Sequence, residues 1–231
     1  MCGRVTETDA TRIVRELAIT GHVPELGATP RYNIPPSDFV PVVRVFPREL
    51  VRRLDLLKWG LVPSWAKDAS IGNRLVNARV ESVTDKAAYR EPFERRRCLV
   101  VVDGFYEWKR QGRLKQPYLL RARSGELLAM AGLWERWTSR DGEIVETFVV
   151  ITKPAEPGVV EIHDRMPAIL RKEDFDTWLS PKQRDAATLL SLLGNTSPNL
   201  VATAVTPRVN KPDYDAPDCV EPLTVQPGLF D

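Results

Sequence analysis

Leu99-Val100-Val101-Val102-Asp103-Gly104-Phe105-Tyr106-Glu107-Trp108-Lys109 is the stretch on which the reading of this chain turns. Residues 99–103 and 105–109 are β-like runs of branched and aromatic side chains, punctuated by a glycine. Similar runs recur outward from it at 40–46, 54–59, 118–122, 127–133 and 147–152, many bounded by Gly, Pro or charged turns. Residues 200–205 and 220–225 read as closing strands. Helices are fewer. Thr6-Glu7-Thr8-Asp9 opens one that carries Ile13, Val14, Leu17 and Ala18 on one face. Others are expected over 80–88 and 173–179, and from Ser180-Pro181 to Gly194. Residues 30–36, with three prolines, read as a loop. Strands dominate, and helices do not alternate with them regularly. The expectation is α+β: a mostly antiparallel, barrel-like sheet with peripheral helices.

The 231 residues suffice for one large domain or two small ones. No repeat or long linker divides them, so a single domain over 1–231 is expected. Hydrophobic content of 43% and charged content of 28% are those of an ordinary globular chain. No apolar run reaches the roughly 18 residues of a membrane span, and no basic-then-apolar leader opens the chain. Three widely spaced cysteines (Cys2, Cys98, Cys219) form neither a disulfide framework nor a metal pattern, which suits a reducing cytoplasm. With only two histidines, His22 and His163, no metal site or other cofactor is expected. A net charge of +2 does not decide for or against nucleic acid, because a local arginine face can be offset elsewhere.

Four segments hold polar residues in apolar or turn contexts: Cys2-Gly3-Arg4, Asn77-Ala78-Arg79-Val80-Glu81, Gly104 to Lys109, and Ile162-His163-Asp164-Arg165-Met166-Pro167. Removal of Met1 would leave Cys2 with an α-amine and a thiol on adjacent carbons. That pair traps aldehydes: the amine forms an imine, and the tethered thiol closes a thiazolidine ring. Cys2 taken alone reads as a residue on a frayed terminus. Glu107 shares a strand face with Phe105, where desolvation would raise its pKa toward proton-transfer range. It also fits a surface carboxylate beside Lys109. His163 fits an acid, a base or a structural loop hydrogen bond. Asn77 fits a positioning amide or the N-cap of the 80–88 helix. Arg4, Arg79 and Arg165 each lie two residues beyond Cys2, Asn77 and His163, on the same strand face, as an anionic cradle would require. Trp59 reads as core and Trp65 as a possible stacking contact for a base.

Together with Arg31-Tyr32-Asn33-Ile34-Pro35-Pro36 and Trp59-Gly60-Leu61-Val62-Pro63, these segments resemble, in order and spacing, the SRAP family, the SOS-response-associated peptidase proteins. Thr152-Lys153-Pro154-Ala155 departs from the family's Ala-Asn type sequence before the His motif. The resemblance implies a protein that binds single-stranded DNA at abasic sites and links to it covalently. It implies that processed Cys2 is the nucleophile, that Asn77 positions it, that Glu107 moves protons, and that His163 helps open the sugar. It implies that Arg4, Arg79 and Arg165 hold flanking phosphates and that Pro36 and Trp65 lie along the DNA channel. A monomer is expected, cytoplasmic and nucleoid-associated when on DNA. Two competing readings remain: a cysteine peptidase in which Cys2 acts on peptide bonds, its own Met1-Cys2 bond among them, and a non-covalent reader of modified DNA.

Overall fold

Asp103-Gly104 is where the chain leaves one sheet for another. The strand Arg97–Val102 belongs to the first and Gly104–Gln111 to the second. The crossing needs a glycine, because a Cβ on Gly104 would lie 2.7 Å from the Leu120 carbonyl oxygen. The structure is a computed structural model that describes residues 2–27, 29–112, 114–195 and 199–223. In chain order the elements are β1 (Val5–Glu7), α1 (Ala10–Glu16), β2 (Arg31–Ile34), β3 (Phe39–Val45), β4 (Arg52–Trp59), β5 (Asn77–Arg79) and α2 (Arg90–Arg95). There follow β6 (Arg97–Val102), β7 (Gly104–Gln111), β8 (Leu114–Ala122), β9 (Leu128–Thr138), β10 (Ile144–Pro154), β11 (Arg165–Pro167), α3 (Phe175–Leu179), α4 (Ala186–Gly194) and β12 (Leu200–Ala204).

Strands β10, β4, β3, β6 and β9 pair in that order, and β9 pairs back onto β10, which closes a barrel. Its ladders are antiparallel except β4 against β10. Strand β10 runs past the ring, where β5 joins it in parallel and β11 in antiparallel. The second sheet, in the order β12-β8-β7-β1-β2, is antiparallel throughout. The α+β architecture with a mostly antiparallel barrel is therefore as expected.

Alternate residues of the barrel strands enter two cores. Val43, Leu99, Ala131 and Ile151 pack with the helices through Ile13, Phe93, Trp178 and Leu189. Val42, Val100, Met130 and Phe148 pack with the second sheet through Val5, Phe105 and Leu120, and with Cys2. Burying each such aliphatic or aromatic side chain contributes about 1.5–3 kcal/mol. Arg97 ties helix ends to this core. Its guanidinium donates to the carbonyls of Phe93, Glu94, Trp178, Ser180 and Gln183.

Several sequence expectations shift. Residues 31–34 form an edge strand, because the prolines bracket that run without interrupting it. The 80–88 helix shrinks to a 3-10 turn, Val80–Ser82, and α2 starts only at Arg90; β-branched Val80, Val83 and Thr84 are poor helix formers. Helix α4 starts at Ala186, capped by Asp185, because Ser180 and Gln183 turn their carbonyls toward Arg97. Residues 217–220 form a 3-10 turn and 221–223 no strand, while Thr224 and Val225 lie outside the described residues. Among the described residues no helix is long and apolar enough to cross a membrane.

Candidate active site

The N-terminal segment enters beside β7. Val5 pairs with Phe105, and the Tyr106 N–H donates to the Arg4 carbonyl at 3.0 Å. This register runs Cys2 alongside the strand that carries Glu107. Cys2 is not frayed: it is fully buried in the core between the sheets. Burial first, and then the nearby Glu107 charge, push its thiol far above the ordinary range.

Asn77 reaches the same segment from the barrel. Strand β5 is held in parallel on β10, with Asn77 opposite Val150. From there Asn77 Nδ2 donates to the Cys2 carbonyl at 2.6 Å, linking two residues 75 positions apart. Tyr89 supports this strand by donating its hydroxyl to the Asn77 carbonyl at 3.3 Å. The helix-cap alternative fails, because Arg79 holds the cap position of the short turn. Asn77 Oδ1 is buried without a hydrogen-bond partner among the described residues.

Glu107 is only 1% exposed, so the surface alternative fails as well. Burial raises its carboxyl from 4.5 to about 7. His163 follows a tight turn, its N–H bonded to the Val159 carbonyl, and its Nε2 lies 3.9 Å from Glu107 Oε2. The Arg165 N–H donates to His163 Nδ1 at 3.0 Å, while Asp164 Oδ1 lies 3.0 Å from the same nitrogen. The first contact needs a lone pair on Nδ1 and the second a proton. Burial pushes the His163 pKa down, which favours the neutral ring, with Nδ1 accepting and the proton on Nε2 facing Glu107.

The three arginines do not form one open cradle. Arg4 is buried and donates to Asn33 Oδ1 at 2.7 Å and the Val209 carbonyl at 3.1 Å. Arg165 is buried against Glu81 and donates to the Thr152 carbonyl at 2.7 Å. Only Arg79 is exposed. Only Asn77 and Arg79 share a strand, β5; Cys2 and Arg4 precede β1 and His163 precedes β11, and protein acceptors occupy Arg4 and Arg165. Trp65 is 60% exposed, Pro36 is half-buried, and Trp59 is core as expected.

Sequence reasoning missed Asn33 and Glu81, the partners of these arginines. Both stand inside the motifs quoted above, so that was the available signal. It also missed Arg110, Lys115 and Asn210. With Glu107, Trp108 and His163 these line a cavity of about 360 Å³. No group of three His, Cys, Asp or Glu side chains among the described residues could hold a metal ion.

Cys2, held by a strand amide and beside a buried carboxyl and an imidazole, sits where the two sheets meet. The chain matches the model of the family described as SOS response associated peptidase (SRAP) over residues 1–212, and it belongs to that family. It is 37% identical to the abasic site processing protein YoqW of Bacillus subtilis over 224 residues, 96% of this chain and 99% of that one. It is 31% identical to the abasic site processing protein HMCES of Gallus gallus, covering 72% of this chain and 56% of that one. A crystal structure of a protein from Bacteroides thetaiotaomicron superposes with a TM-score of 0.82 at 25% identity, covering 97% of this chain and all of that one.

Proposed function

We propose that this protein processes abasic sites by binding single-stranded DNA and trapping the ring-opened deoxyribose on processed Cys2. The carrying observation is the buried Glu107 carboxyl, raised to about 7, standing 3.9 Å from His163 beside the Cys2 segment. The relatives named as abasic site processing proteins support the substrate.

Hydrolysis of the Met1-Cys2 bond must come first, because an acylated nitrogen cannot form an imine. An abasic sugar is mostly a closed hemiacetal. Glu107 takes the C1′ hydroxyl proton and passes it to the ring oxygen, to which neutral His163 donates a hydrogen bond from Nε2 without losing that proton, and the aldehyde is released. Glu107 then accepts a proton from the Cys2 ammonium. The free amine adds to C1′, and protonated Glu107 gives its proton to the departing hydroxyl. A group with a pKa near 7 holds both forms at neutral pH, so it can do both. The thiol finally adds across the C=N bond and its proton goes to nitrogen. The balance is aldehyde plus aminothiol giving thiazolidine plus one water. Asn77 holds the Cys2 carbonyl through Nδ2, and its unpartnered Oδ1 is an acceptor for the new amine. Exposed Arg79 contacts a phosphate, and Pro36 and Trp65 line the strand's path.

The peptidase reading needs a thiolate stabilised below its ordinary pKa. The Cys2 environment pushes the other way, which disfavours general proteolysis. The test uses protein whose loss of Met1 is verified by intact mass. It is incubated with a single-stranded oligonucleotide carrying one abasic site and run on a denaturing gel. A shifted band that Cys2→Ala abolishes is expected. Binding without a covalent band would overturn the proposal in favour of the non-covalent reader.

A further inference from the structure

Strands β7 and β8 set Arg110 directly opposite Lys115. Like charges placed so in a sheet repel and destabilise the pair. Both side chains are exposed, and among the described residues neither has an ion-pair or hydrogen-bond partner. Both line the cavity that Glu107 and His163 also line. A third donor converges there. Asn210 Oδ1 accepts the Trp108 indole N–H at 2.5 Å, which leaves the amide Nδ2 of Asn210 free to donate. The cavity's volume, about 360 Å³, is in the range of small-molecule pockets.

Two cations opposite each other in a ladder and lining the same pocket as Glu107 and His163, with a polar amide beside them, match one ligand chemistry. We propose that Arg110, Lys115 and Asn210 form a phosphate subsite that seats a phosphate borne by the abasic sugar itself, and so fixes the sugar's register against Glu107 and His163. The proposal rests on the abasic-site reading above and deepens it. It makes the substrate a deoxyribose phosphate unit and not any aldehyde on a polyanion. Bridging by one phosphate would relieve the repulsion across the hairpin, and the guanidinium and ammonium would both donate charge-assisted hydrogen bonds. The site is distinct from exposed Arg79, which stands on β5 on the barrel side of Cys2.

The test uses Met1-processed wild type and the double variant Arg110→Gln with Lys115→Gln, both exposed changes. Adducts on Cys2 are followed by mass spectrometry with three probes: 2-deoxyribose, 2-deoxyribose 5-phosphate, and an abasic unit carrying only a 3′ phosphate. Wild type should react about tenfold faster at sub-saturating concentration with one of the phosphorylated probes than with the plain sugar, the effect of one charge-assisted contact. The double variant should lose that preference, and which probe is preferred identifies the phosphate. Equal rates for all three in wild type, or a preference the double variant keeps, would overturn the subsite while leaving the aldehyde trap intact. If no probe and no abasic oligonucleotide gives an adduct, the functional reading itself fails. A separate arm reads the anion site without chemistry: inorganic phosphate should raise the Tm of wild type more than that of the double variant, and equal shifts would count against the subsite.

Discussion

Replacing Glu107 with Gln keeps the shape of a fully packed side chain and removes its proton chemistry, so it separates rate from stability. The folded carboxyl sits at about 7 against 4.5 when unperturbed. The folded state therefore holds a proton that the unfolded state has already released between those values. A raised carboxyl makes stability fall as pH rises through that window. The shift of roughly two and a half pH units, at 1.36 kcal/mol per unit, amounts to about 3 kcal/mol lost by wild type above pH 8 relative to pH 4. Glu7 is also buried and raised to about 7, so it adds a similar slope to the wild-type curve. The informative quantity is thus the difference between wild type and Glu107→Gln, measured by urea unfolding from pH 4.5 to 8.5. The variant should become relatively more stable as pH rises, by up to about 3 kcal/mol. Its crosslinking rate at saturating abasic DNA should fall about 10²–10⁴-fold with little loss of DNA affinity, and the inflection near pH 7 should vanish from the rate profile. A variant that crosslinks at the wild-type rate, or whose stability difference from wild type is flat with pH, would refute the reasoning.

Asn77→Ala should slow crosslinking about tenfold to a hundredfold, because the buried Cys2 carbonyl loses its donor; an unchanged rate in single-turnover gels would remove Asn77 from positioning. Arg79→Ala should weaken binding to all sequences alike and reduce the slope of log affinity against log salt by about 1, read by fluorescence anisotropy. Arg97→Met should cost at least about 3 kcal/mol, since several helix-end carbonyls lose their donor at once, and a calorimetric Tm within a degree of wild type would contradict that account. Trp65→Ala should leave stability unchanged, because the ring is largely exposed, while weakening single-strand binding about tenfold or more.

The strands were legible because Leu99 to Val102 and Phe105, Tyr106 and Trp108 are branched or aromatic side chains of the kind that strands favour. The closure of the barrel was not, since it depends on β9 returning to β10, and pairing partners leave no local mark on a single chain. The 80–88 segment shows the opposite failure: it read as a helix, but its β-branched residues leave only a turn at Val80–Ser82. At the site, residue type and motif order named Cys2, Asn77, Glu107 and His163. Periodicity could not choose between a buried and a surface Glu107, because both faces of an antiparallel strand present alternating residues.

What the sequence determined by itself was the chemical inventory: a cysteine directly after Met1, one carboxyl and one imidazole in aromatic and loop settings, and arginines at matched spacing. Only the tertiary structure decided what those groups can do. A pKa near 7 for Glu107 comes from the loss of water around it, and that loss comes from sheets joined 100 residues away from Cys2 along the chain. The same packing gives Arg4 to Asn33 and Arg165 to Glu81, and leaves Arg110 facing Lys115. Desolvation and charge pairing are sums over neighbours in space, which is why no reading of neighbours in sequence could supply them.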